Sequence, residues 1–111
     1  MLKIIYTEKG KAYSDFNLIE NAQFMIDQYH NKIEQNNRDI TLEVSTSNII
    51  LALRVLVSRD KLKYNELCIV FNEHTITLNE YCELTKHPQG FMDWEQKFLR
   101  EIISRRIGKE V

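Results

Sequence analysis

The scarcity of glycine constrains this chain more than any other feature: three residues of 111 are glycine and one is proline. Glycine is the residue that lets a backbone turn left-handed and come close to a bound group. Phosphate-binding loops need both properties, and the chain contains no GxxxxGK[ST], GxGxxG or GxSxG string. A Rossmann or P-loop enzyme is therefore excluded for the chain standing alone, which cannot hydrolyse a nucleotide by itself. Few breakers also mean that most residues should lie in regular helices and strands.

A length of 111 residues is that of one domain, 1–111, with no room for a second core. Fifteen basic residues stand against sixteen acidic ones, a net charge of −1. Proteins whose main work is neutralising phosphates carry a basic excess, so nucleic acid is not the expected partner. Cys68 and Cys82 form no CxxC, and with His30, His74 and His87 scattered there is no zinc spacing. A reducing, cytoplasmic setting is the simpler expectation. The start, Met1-Leu2-Lys3-Ile4-Ile5, is too soon charged for a signal peptide, and no apolar run is long enough to span a membrane.

Residue periodicity orders the chain. Leu2 to Tyr6 reads as a strand, and Glu8-Lys9-Gly10-Lys11 as a polar turn. Ser14 or Asp15 is placed to cap a helix in which Leu18, Ile19, Ala22, Met25, Ile26, Tyr29 and Ile33 make one apolar stripe. Ile40 to Val44 alternates as a strand. Ser45-Thr46-Ser47-Asn48 offers capping oxygens to a second helix, apolar nearly all round from Ile49 to Val57 except at Arg54. Glu66 to Phe71 and Thr75 to Leu78 read as a hairpin turning at Asn72-Glu73-His74. An irregular segment ends in Pro88-Gln89-Gly90, and a last helix is expected from about Asp93, with Gly108 placed to end it. The fold class predicted is α/β: a small two-layer or three-layer sheet of about four strands, ordered β-α-β-α-β-β-α, with parallel crossovers and an antiparallel hairpin edge.

No constellation of residues points to catalysis. None of the three histidines has a Cys, Asp or Ser partner fixed by spacing, so solvated surface side chains explain them best. Cys68, between Leu67 and Ile69, reads as a core residue, and Cys82 as the more exposed thiol. No catalytic residue, metal or cofactor is expected. Arg100, Arg105, Arg106 and Lys109 form the one basic cluster, where cations also complement a helix dipole. Phe91, Trp94 and Phe98 gather just before it. Core packing is their simplest role, but aromatics beside arginines are also the usual make-up of a binding hot spot.

From about Thr41 to Ile103 the chain resembles the C-terminal segment of the SMC- and RecF-like ATPases of prokaryotic defence systems. The resemblance is carried by Leu42-Glu43-Val44-Ser45-Thr46-Ser47-Asn48 leading into the apolar helix that ends Leu53-Arg54-Val55-Leu56-Val57, and by Pro88-Gln89-Gly90-Phe91-Met92-Asp93. In that family a histidine of the switch contacts the γ-phosphate. Here Thr46 falls at its place and cannot do that work. Ile4 to Glu8 resembles the family's Walker B strand and its glutamate, but the aspartate is missing. The family's phosphate loop and signature motif would lie upstream of the matching segment.

The resemblance thus implies recognition without nucleotide chemistry. The expected function is that of a non-enzymatic accessory or interaction protein. It would bind a protein partner, an ATPase or a defence effector, in a phage-defence or counter-defence setting, with Phe91, Trp94, Phe98, Arg100, Arg105 and Arg106 as the partner-binding residues. A homo-oligomer is a second expectation for the partner. The alternative is a small-ligand module that holds a nucleotide or nucleotide-derived signal, with Arg100 or Arg106 on phosphate and an aromatic ring on the base.

Overall fold

The computed structural model describes residues 1–35 and 39–91. Within them run β1 (Leu2–Lys11), α1 (Leu18–Glu34), β2 (Ile40–Val44), α2 (Ser47–Ser58), a 3-10 turn (Tyr64–Glu66), β3 (Leu67–Phe71) and β4 (His74–Thr77). The chain is α/β, as its periodicity predicts. The expected last helix, from about Asp93, lies outside the described residues.

The strands form one mixed sheet in the order β2-β1-β3-β4. β1 pairs in parallel with β2 on one side and β3 on the other, and β4 returns antiparallel to β3. Strand alternation separates the two faces of the sheet. Leu2, Ile4, Val44, Leu67, Ile69 and Ile76 are buried on one face. Lys3, Thr41, Glu43 and Thr75 are exposed on the other. α1 and α2 pack against each other. The residues they bury, including Met25, Ile26, Ile50 and Leu53, join the covered face in a single core. The described residues therefore form two layers rather than three.

The helix ends differ from the capping that the sequence suggests. Asn17, in the left-handed conformation, is the N-cap of α1, without a side-chain cap bond. The candidate cap Asp15 instead accepts a hydrogen bond from Asn48 Nδ2 at 2.9 Å. That same amide donates to the carbonyl of Tyr13 at 2.9 Å, and the Thr46 hydroxyl accepts from the Tyr13 N–H at 3.2 Å. The polar residues before α2 thus fasten the loop that leads into α1, and the N-cap Thr46 makes no side-chain cap bond. Competition of this kind, side chain for backbone, is what Ser, Thr and Asn do wherever a neighbouring loop offers partners.

At its other end α2 closes with a Schellman arrangement. Asp60, left-handed at φ 61°, donates its N–H to Val57, and the Lys61 N–H reaches Leu56, both at 3.0 Å. The β3–β4 hairpin turns on Asn72 and Glu73, both with positive φ, which is the signature of a type I′ turn.

The segment expected to be irregular carries local order. Leu78 bridges to Leu84 in antiparallel fashion, and Asn79 Oδ1 accepts from the N–H groups of Tyr81 and Glu83. Thr85 is tied back to Thr77 through both backbone and hydroxyl. The outer edge of β4 is thereby partly covered, as exposed edges in natural sheets commonly are.

Candidate functional site

β1 is longer than the sequence suggests, because its polar stretch does not leave the strand as a turn. Tyr6 and Lys11 both pair with Val44 of β2, so Thr7, Glu8, Lys9 and Gly10 form a bulge that rises from the carboxyl end of the sheet and comes back. Gly10 permits the return. A Cβ placed there would lie 2.4 Å from the Val44 carbonyl carbon, far inside any tolerable contact.

Beside this bulge lies a crevice of about 600 Å3, lined by Tyr6, Thr7, Glu8, Lys9, Ser45, Phe71 and Asn72. All of these residues stand at the carboxyl ends of the three parallel strands. β1 and β3 are neighbours in the sheet but not in sequence, since the chain passes from β1 to β2 on one side before reaching β3 on the other. The space outside the carboxyl ends of parallel strands is where open α/β sheets take a ligand.

Three rings make the crevice's inner wall rigid. Tyr6 and Phe71 are 5.7 Å apart between centroids, and Phe91 lies 6.1 Å from the first and 5.2 Å from the second. The Pro88-Gln89-Gly90-Phe91 string explains how Phe91 arrives there. The Phe91 N–H donates to the Pro88 carbonyl at 3.1 Å, and Gly90 has φ 84°, as the third residue of a type II turn requires. Phe91 has no exposed surface. Its ring therefore serves the core, and any part it plays in recognition runs through what it holds in place. Trp94, Phe98, Arg100, Arg105 and Arg106 lie outside the described residues.

A second surface was not legible as a site. Phe16, just before the N-cap of α1, and Phe24, off the helix's apolar stripe, are 79% and 61% exposed. Phe24 stands in an open groove between the helices with Ile19, Leu56, Glu20, Asp27, Arg59 and Lys61. The sequence signal was present in the two phenylalanines that the stripe does not use, but an apolar stripe marks only the residues that turn inward.

Among the described residues no cluster of three His, Cys, Asp or Glu side chains could hold a metal ion. His30, His74 and His87 are all exposed, on α1, on β4 and on the loop before Phe91. Cys68 is buried, and burial pushes its thiol above the usual range; Cys82 is half-buried. Arg54 is partly buried on α2, and desolvation holds its guanidinium below its ordinary value, against an opposing effect of the nearby Cys82. Among the described residues its Nε and Nη1 have no hydrogen-bond partner. No described helix is long and apolar enough to cross a membrane.

No protein-family model, no curated protein and no solved structure matches the chain.

Proposed function

We propose that this chain works by binding a protein partner and performs no chemistry of its own. The observation that carries the reading is Phe24, a large aromatic residue held in solvent on a rigid helix, above an apolar groove with a charged rim. Holding such a ring in water has no benefit for folding, and exposed aromatics ringed by polar residues are the usual anchors of protein interfaces. Glu20 and Asp27 on one side, with Arg59 and Lys61 beside them, give the rim both signs of charge and hence a means of choosing orientation.

The resemblance to defence ATPases supplies the class of partner: an ATPase or effector of a prokaryotic defence or counter-defence system, met in the cytoplasm. Trp94, Phe98, Arg100, Arg105 and Arg106 are further partner-binding candidates in this reading. A second copy of the chain is the other partner to which the mixed rim is suited.

The test is co-elution of the chain on a sizing column with each protein encoded beside it. One of them should comigrate, and Phe24→Glu should weaken that complex by about tenfold or more. A chain that elutes alone with every one of them, and does not self-associate, overturns the reading. A complex indifferent to Phe24→Glu removes the groove from it.

A further inference from the structure

We infer that the crevice at the carboxyl ends of β1, β2 and β3 is a binding site for a nucleoside: a planar base carrying an uncharged ribose. The inference is independent of the partner-binding groove, which lies between the two helices and shares no residue with the crevice.

The volume, about 600 Å3, lies within the range of small-molecule sites. Its wall is aromatic. Tyr6 and Phe71 are only half-buried, so ring surface faces the crevice, and Phe91 behind them fixes their positions. A wall of this kind favours a flat, polarisable ring, which stacks on it without needing a particular sequence of donors.

The rim supplies what a base and a sugar would ask for. The Asn72 side chain presents an amide donor and acceptor together, the pairing that matches the edge of a base. Its backbone is fixed by the type I′ turn, so the amide is displayed from a rigid point. Glu8, on the bulge, offers a carboxylate of the kind that accepts hydrogen bonds from ribose hydroxyls. Thr7 and Ser45 add hydroxyls that both donate and accept.

Charge and backbone argue against a phosphorylated ligand at this site. Glu8 and Lys9 cancel within the crevice, leaving no net attraction for a phosphate among its lining residues. The bulge's only glycine is occupied in the close approach to Val44 and is not free to let the backbone cradle an anion. A neutral nucleoside satisfies the lining, whereas a triphosphate would meet Glu8.

The experiment is titration calorimetry of the full chain with adenosine, uridine and ATP. At least one nucleoside should bind saturably, with Kd between about 10 μM and about 1 mM, and ATP should bind no more tightly. Asn72→Gly keeps the left-handed turn available while removing the amide, and should weaken binding by about tenfold with an unchanged unfolding midpoint. Absence of saturable binding by both nucleosides at about 5 mM overturns the inference. So does an affinity that Asn72→Gly leaves unchanged, or ATP binding about tenfold more tightly than either nucleoside. None of these results bears on co-elution with a protein partner, so the two readings fail separately.

Discussion

Few glycines do not mean few left-handed residues. Asn17, Asp60, Asn72, Glu73 and Cys82 all have positive φ, while among the described glycines only Gly90 does. Asn and Asp reach that region at modest cost because their short side chains bond locally, but Glu has no such compensation. Glu73→Gly should therefore raise stability by about 1 kcal/mol, and Gly90→Ala should lower it by about as much. No atom lies within 4 Å of a Cβ added at Gly90, so backbone strain alone would be read in that second variant. Unfolding midpoints in urea check both signs, and a stabilising Gly90→Ala would contradict the type II turn. These positions were only partly legible in the sequence. Pro88-Gln89-Gly90 announces a turn because glycine marks its third place, whereas Asn72-Glu73 gives half of a hairpin signal and Cys82 none.

At the scale of elements, the apolar periodicities of α1, β2, α2 and β3 were enough to find them, because each buries one face against a common core. Bulges and caps are another matter. Whether Glu8 to Lys11 turns away or stays with the sheet depends on Val44, more than thirty residues on, and no local pattern encodes that distance. The capping residues before α2 were visible as residue types, but that Thr46 accepts from the Tyr13 N–H and Asn48 donates to Asp15 is a tertiary choice. The bulge gives its own prediction. In Gly10→Ala the new methyl would meet the Val44 backbone, which cannot move aside as a flexible side chain would. A loss of about 1–3 kcal/mol is expected, as for other overpacked sites. The crevice beside the bulge should deform with it, so the amide signals of Thr7, Ser45 and Asn72 should shift together in NMR spectra. Wild-type stability in this variant would show that the chain does not return so close to β2.

For the whole molecule, one phenol ties three parts of the fold together. The N-terminal ammonium of Met1 donates to Tyr29 Oη at 2.9 Å and pairs with Asp39 at 3.3 Å. Burial first, then the charge of Glu66 and a hydrogen bond to its carboxylate, then Asp39, push the Tyr29 phenol up to about 12 from an ordinary 10.0. The folded chain thus keeps a proton that the unfolded chain releases at lower pH. The stability from this group is complete below about pH 10 and drains away as pH rises toward about 12. Tyr29→Phe lacks the proton, so the gap between wild type and variant should change across that window; a constant gap would dissociate Tyr29 from the effect. The two-layer sheet is the part of this assembly that the sequence most readily foretells. The recognition residues expected beyond Phe91 are outside the described structure, and the crevice is built from residues that the sequence presents as a turn, a strand end and a cap.

The ring trio of Tyr6, Phe71 and Phe91 serves two masters. One side of it is the wall of the crevice, and the other closes the end of the core at Phe91, which has no exposed surface. A wall that is also core cannot be loaded on one side alone. A ligand that stacks on the rings in their folded arrangement would therefore also stabilise the core they close, and by thermodynamic reciprocity a better-ordered core would raise the ligand's affinity.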